Sequence, residues 1–256
     1  IGQLLLVFVK QGFGLAQGLF NRFDGALDQV DVFSVFCHRA AKIAKARIPR
    51  YFCIMQDVVL DHLKLVHFKN HAQAEFAFSP KLNALVGSNG SGKTSVLDAV
   101  HLLCMTRSYF HSSDAHCIQF DAPFLVVQGE FRAESGATPV YCGLKRNEKK
   151  VFKADDAEYP RLSEHLGRFP VVMISPGDHV LLHGGSEVRR KFMDAVIAQS
   201  DRGYLDALQN YQRALKQRNA LLKYFAANRT FQADMLELYD HQLSEYAPVI
   251  FAARNA

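Results

Sequence analysis

The chain of 256 residues lacks any apolar run of the roughly 18 residues that would span a bilayer. Its five cysteines are odd in number and none forms a C-x-x-C pair, so neither a disulfide framework nor a zinc ribbon is indicated. No repeat or low-complexity tract is present, and 49% of the residues are hydrophobic. These absences exclude a disordered or collagen-like chain and predict a globular, cytoplasmic protein without a membrane partner.

Residues 1–54 differ in character from the rest of the chain. Residue 1 is Ile, the first methionine is Met55, and no glutamate precedes it. The segment carries seven basic residues and three aspartates, so it holds most of the net charge of +5. Its order of apolar and basic stretches fits neither a signal peptide nor a transit peptide. We predict that 1–54 is a doubtful leader, from upstream translation and poorly ordered, with a helical extension as the alternative.

Apolar patterns predict an α/β fold from Met55 onward. Runs rich in β-branched and aromatic residues predict strands at 58–68, 75–78, 82–86, 124–131, 140–146, 151–153 and 171–174. Apolar residues at helical spacing predict helices at 94–105, 160–166, 186–199, 204–225 and 231–246. The last two are long and amphipathic with a short break between them, which indicates a helical arm.

One segment carries a complete phosphate-binding motif. Gly87-Ser-Asn-Gly-Ser-Gly-Lys93-Thr94 matches G-x-x-x-x-G-K-[ST] between an apolar run and a helical pattern. The glycines let backbone N–H groups approach phosphate oxygens, and the helix that follows directs its positive end toward the anion. The motif predicts that ATP is bound by Gly87, Ser88, Asn89, Gly90, Ser91, Gly92, Lys93 and Thr94, with the Thr94 hydroxyl on Mg²⁺.

An acid that follows a second buried strand is also needed to hydrolyse ATP, because it holds Mg²⁺ and directs the attacking water. The strand predicted at 171–174 is followed by Ser175-Pro176-Gly177, and the apolar run 125–127 by Gln128-Gly129. Neither position is acidic. The chain is therefore predicted to bind ATP but hardly to hydrolyse it.

Further segments point to a family. The start of the RecF, Rad50 and SMC head domains is resembled by three consecutive segments: Phe68-Lys-Asn-His71, 76–83 and the phosphate-binding motif. Four further segments narrow the resemblance to the bacterial RecF family: Thr106-Arg-Ser108, Ile174-Ser-Pro-Gly-Asp178, 180–194 and 204–222. The resemblance implies a P-loop NTPase of ABC/SMC-head type with an antiparallel β subdomain and a helical arm, truncated at the C-terminus. It divides the chain into a leader, 1–54, a head lobe, 55–180, and an incomplete helical lobe, 181–256.

The resemblance also implies a function. Such heads form an ATP-dependent homodimer that clamps single- and double-stranded DNA at gaps, acts with RecR and RecO, and assists RecA loading in repair and replication. ATP hydrolysis then releases the clamp. The family's signature motif and its Mg²⁺-binding acid lie further along than residue 256. The segment 184–187 is not that signature, because it matches a family segment ahead of the arm.

Weaker signals concern single residues. Lys69 and Asn70 end the first predicted strand, where the resemblance places a polar contact to the nucleotide; a solvated strand end is the alternative. Asp178 is a candidate Mg²⁺ ligand or a helix N-terminal acid. The best candidate DNA surface consists of basic residues in the predicted helices, where phosphate contacts need only suitably spaced positive charge. These residues are Arg189, Arg190, Lys191, Arg213, Lys216 and Arg218.

Three other classes remain open from the sequence. A Rad50 or SMC head would need a long heptad-bearing arm, and none is seen. An ABC transporter ATPase fits the motif, but the Phe68–His71 segment and the arm argue against it. A small-molecule kinase also carries such a motif, but the antiparallel strands predicted between 124 and 153 count against it.

Overall fold

The computed structural model describes residues 8–9 and 58–255 of the chain. These residues belong to two compact units, one that continues to His179 and one that begins at Val180. The predicted leader therefore lies almost entirely outside the described residues. Its disorder, and the proposed domain limits at 54 and 180, stay predictions.

The first unit is built on an antiparallel sheet of six strands. Their bounds are β2 Val59–Phe68, β3 His71–Ala77, β4 Phe124–Ala133, β5 Gly136–Lys145, β6 Val151–Ala154 and β7 Ala157–Glu158. The order across the sheet is β3-β2-β4-β5-β6-β7. A separate short pair joins β1, Phe8–Val9, to β8, Val171–Val172. The antiparallel β subdomain expected from the sequence is confirmed.

One helix, α1 at Lys93–Met105, packs against this sheet. Alternate residues of the strands face it, such as Leu63 and Leu65 in β2 and Leu125 and Val127 in β4, and all four are buried. The approach is close, because a Cβ atom at Gly129 would lie 2.6 Å from Leu103 Cδ1. A larger residue at 129 would force the buried Leu103 side chain to move. The sheet therefore fixes the position of α1, whose N-terminus follows the phosphate-binding motif.

Three of the predicted elements were wrong in whole or in part: two strands and one helix. The run 82–86 forms no strand, and Leu82 and Val86 are 48% and 86% exposed. An apolar run becomes a buried strand only where other strands flank it, and within the described residues none pairs with 82–86. The prediction over 171–174 reduces to β8, and the helix over 160–166 reduces to one 3₁₀ turn at Leu162–Glu164.

The second unit is helical. It contains α2 Val180–His183, α3 Ser186–Ser200, α4 Arg202–Asn228 and α5 Ala233–Asn255. Helices α4 and α5 pack on each other, and Arg218 on α4 pairs with Asp240 on α5. The carboxylate of Asp194 on α3 accepts two hydrogen bonds of 2.8 Å from Arg254 on α5. The predicted helical arm is confirmed. Among the described helices, none is both long and apolar enough to cross a membrane.

A buried histidine makes the first unit sensitive to acid. The Nε2 atom of His165 donates to the carbonyl of Leu103 at 2.7 Å, and Phe152, Tyr159 and Phe169 surround the ring. Its Nδ1 atom is buried and, among the described residues, has no hydrogen-bond partner. Burial lowers the pKa of His165 from 6.5 to about 4. The imidazole is therefore neutral in the folded protein at neutral pH.

Acidification is therefore expected to destabilise the fold. At a pH between the two pKa values, about 4 in the folded protein and 6.5 in the unfolded chain, only the unfolded chain protonates His165. The contribution of neutral His165 to the free energy of unfolding is therefore fully present above pH 6.5 and is lost as the pH falls toward 4. This histidine alone should remove about 2 kcal/mol of unfolding free energy between about pH 7.5 and about pH 5. Urea unfolding at the two pH values measures the loss, and His165→Gln should reduce it. An equal loss in that variant would contradict the assignment.

Candidate nucleotide-binding site

The phosphate-binding motif forms a turn that only glycine adopts readily. Gly90 and Gly92 have φ angles of +84° and +91°, in the left-handed region that other residues rarely enter. Helix α1 begins at Lys93, immediately after this turn, and the Gly92 carbonyl accepts its first helical hydrogen bond, from Val96 N at 3.0 Å. The N–H groups of the residues ahead of Val96, from Lys93 to Ser95, have no helical acceptor. The loop and the helix N-terminus together form an anion-binding cradle.

The Lys93 ammonium lies over this loop. Its Nζ donates to the carbonyls of Gly87 and Ser88 at 2.9 and 2.7 Å and lies 3.5 Å from the Ser91 hydroxyl. Residues 87–91 are exposed, and so is Thr94 on the first turn of α1. A phosphate group would offer Lys93 oxygen acceptors of greater negative charge than these carbonyls. The donors present therefore fit a polyphosphate, and the Mg²⁺ role of Thr94 stays a prediction.

The turn between β2 and β3 lies against the loop. Asn70 Nδ2 donates to the Gly90 carbonyl at 3.0 Å, and Asn70 Oδ1 accepts from Ser95 Oγ at 2.8 Å. His71 Nε2 lies 3.2 Å from the Gly92 carbonyl oxygen. Asn70 was a predicted site residue, whereas His71 was missed. Its only sequence signal was its place in the Phe68–His71 segment.

The structure places Lys69 inside the first unit. Its Nζ lies 2.6 Å from Oδ2 of Asp98, a fully buried carboxylate on α1. Asp98 also accepts hydrogen bonds from Ser108 Oγ at 2.7 Å and from Tyr109 N at 2.6 Å. This arrangement joins the β2–β3 turn to the helix that carries the P-loop. A phosphate contact by Lys69 stays a prediction, and its ammonium is already paired.

Asp178 is the third residue of a four-residue 3₁₀ turn, Pro176–His179. Its carboxylate accepts from Tyr109 Oη at 2.7 and 2.8 Å and from Ser175 N at 2.6 Å. Burial, and then the hydrogen bond to Asp178, raises the pKa of Tyr109. In the described part of the chain, no cluster of three or more His, Cys, Asp or Glu residues has metal-binding geometry. The Mg²⁺ role of Asp178 stays a prediction.

The candidate DNA-binding residues lie in the second unit and differ in their contacts. Lys191 pairs with Glu187 at 2.7 Å, and Arg218 pairs with Asp240. Arg189 donates to the Gly184 carbonyl at 3.0 Å, and Arg213 lies 3.5 Å from Asn210 Oδ1. Arg190 and Lys216 are exposed, and no described carboxylate forms an ion pair with either. These last two residues are therefore the most available for a phosphate backbone.

Comparison with known proteins agrees with this geometry. The SMC_N family, described as RecF/RecN/SMC N terminal domain, matches residues 59–128. The DNA replication and repair protein RecF of Phocaeicola vulgatus is 43% identical over 199 residues, which cover 77% of this chain and 53% of the relative. The structure of the recombination mediator protein RecF-ATPrS in the RecFOR pathway aligns with a TM-score of 0.71 at 31% identity, and covers 78% of this chain and 54% of that one. The corresponding RecF-ATP structure gives 0.70 at 30% identity, with 79% and 54% covered.

The fold and the site define a P-loop NTPase head of ABC/SMC type. Within that class the chain belongs to the RecF family and corresponds to its N-terminal portion. It spans about half the length of the curated relatives that it matches. The expected fold class and family are both confirmed.

Proposed function

We propose that this chain supplies the nucleotide-binding half of an ATP-dependent DNA repair and replication protein. The observation that carries the proposal is the cradle of Gly87–Thr94, with two left-handed glycines, the Lys93 ammonium above the loop, and the N-terminus of α1 beside it. ATP would bind through its β- and γ-phosphates to the loop N–H groups and Lys93. Mg²⁺ would be held by Thr94, with Asp178 as a further candidate ligand.

The role in DNA metabolism is supported by the relatives and is proposed here for the whole protein. The relatives are named for replication and repair, and a related structure was determined with ATP in the RecFOR pathway. We extend this to ATP-dependent homodimerisation, clamping of gapped single- and double-stranded DNA, action with RecR and RecO, and help in RecA loading in the cytoplasm. ATP turnover by these 256 residues is expected to be negligible, because neither the segment 171–174 nor the segment 125–127 is followed directly by an acid.

The DNA-binding proposal is tested with Arg190 and Lys216, two exposed basic residues of the helical unit that form no ion pair with a described carboxylate. The double variant Arg190→Glu/Lys216→Glu should weaken binding of a fluorescently labelled gapped duplex about tenfold or more in low salt, because charge reversal removes phosphate contacts and adds repulsion. Fluorescence anisotropy with and without MgATP measures the affinity. Lys191→Glu/Glu187→Lys, which inverts an existing ion pair, is the control and should have a much smaller effect. Equal affinity of the double variant and the wild type would contradict this surface.

A further inference from the structure

The β2–β3 turn makes contacts that go beyond local packing. Asn70 and His71, which we call the clasp, both contact main-chain carbonyls of the phosphate-binding loop. The Asn70 amide also accepts from Ser95 on α1, so a single side chain joins the loop to the helix that follows it. These contacts link residues 20 and 21 positions apart in the sequence.

The carbonyls that the clasp binds determine where neighbouring N–H groups point. In a trans peptide unit the C=O and N–H bonds lie in one plane and point in opposite directions. The Gly90 carbonyl shares its peptide unit with Ser91 N–H, and the Gly92 carbonyl shares its unit with Lys93 N–H. Holding both carbonyls outward therefore turns both N–H groups inward. Ser91 N–H points into the loop, where it donates a hydrogen bond of 3.3 Å to the Ser88 carbonyl.

The clasp and the loop are matched in shape. A Cβ atom at Gly92 would lie 2.3 Å from His71 Nε2 and 2.7 Å from Asn70 Nδ2, so no side chain could occupy position 92 with the clasp in place. The turn is itself anchored, because Lys69 N donates to the Cys117 carbonyl at 2.7 Å and Lys69 Nζ pairs with Asp98. Lys69 also holds a φ of +52°, which is unfavourable for a residue with a side chain. Such strain persists only where surrounding contacts impose it.

We propose that Asn70 and His71 are positioning residues that hold the P-loop in its phosphate-binding conformation before nucleotide arrives. They act on the nucleotide through the Gly90 and Gly92 peptide units and do not contact it. The loop then needs little reordering when ATP binds, which raises affinity by lowering the entropic cost of binding. This inference rests on the nucleotide-binding function proposed above.

The test combines affinity with a signal from the loop itself. Asn70→Ala and His71→Phe should each weaken MgATP binding by about three- to tenfold, because each removes one hydrogen bond that orders the loop. In ¹H–¹⁵N spectra without nucleotide, the Ser91 and Lys93 amide signals should shift in these variants. His71→Gln, which retains an N–H donor, should restore affinity and both signals. Gln73→Ala, two residues further along β3, is the control and should leave both unchanged.

The outcomes separate this inference from the function on which it rests. Weaker MgATP binding with unchanged Ser91 and Lys93 signals would mean that Asn70 or His71 contacts the nucleotide, and would overturn the positioning role. Unchanged affinity in both variants would overturn it as well. If the wild-type chain binds no MgATP, the proposed function fails, whereas the amide shifts still report whether the clasp orders the loop.

Discussion

Replacing Lys93 by alanine is expected to weaken MgATP binding about 100-fold, because the variant loses about two charge-assisted hydrogen bonds to phosphate oxygens. The ammonium is the one positive side chain within hydrogen-bonding distance of the loop carbonyls in the described residues, at 2.7 and 2.9 Å from two of them. No other described side chain could supply that positive charge at the loop. Fluorescence titration with a labelled ATP analogue and competition by unlabelled MgATP measures the loss.

Two comparisons show that the effect is electrostatic and local. The melting temperature of Lys93→Ala should stay close to that of the wild type, because the lysine head is at the surface of the loop and not in the core. Lys93→Arg keeps the charge but replaces a compact ammonium with a planar fork, so affinity should recover only in part. An affinity of Lys93→Ala within threefold of the wild type would contradict the assignment of the cradle.

Replacing Asp98 by alanine is expected to lower the free energy of unfolding by about 3–5 kcal/mol, the usual cost of removing one partner of a buried ion pair. Lys69, whose side chain is only 15% exposed, would be left without its counter-ion. Ser108 Oγ and Tyr109 N would also lose their acceptor. Urea denaturation at neutral pH measures the change.

An exposed ion pair between β2 and β3 provides the control. Lys64 on β2 pairs with Glu75 on β3 at 2.7 Å, and both side chains are largely exposed. Glu75→Ala should therefore cost at most about 1 kcal/mol. If Asp98→Ala destabilises no more than Glu75→Ala does, the buried pair is not what joins the β2–β3 turn to α1.

Local patterns predicted most elements because their information lies within a few neighbouring residues. The apolar residues of α1 recur at helical spacing, and the helix runs over Lys93–Met105 as that spacing required. The run 82–86 failed for the opposite reason: its apolar residues are typical of a buried strand, but burial depends on flanking strands that local sequence does not describe. The start of β3 at His71 was also missed, because its exposed residues carry little apolar signal.

The sequence predicted the residues of the phosphate-binding loop but not the side chains that contact them. The P-loop follows from its motif, since glycines and Lys93 must occupy fixed positions for phosphate to bind. The partners of these residues did not follow, because Asn70, His71 and Asp98 reach the loop and helix through tertiary contacts. One signal was available: Asp98 interrupts the apolar face of a predicted helix, and a carboxylate there requires a buried partner. The Arg218–Asp240 pair likewise became visible only when α4 and α5 had been placed, whereas the Lys191–Glu187 pair is an i,i+4 contact within one predicted helix.

The most direct test of the central claim is a calorimetric titration of MgATP into the wild-type 256-residue chain. The geometry of Gly87–Thr94 predicts saturable binding at one site per chain, competition by MgADP, and loss of the signal in Lys93→Ala. A folded chain, verified by circular dichroism, that gives no heat and no competition at millimolar MgATP would contradict the claim that these residues form a nucleotide site.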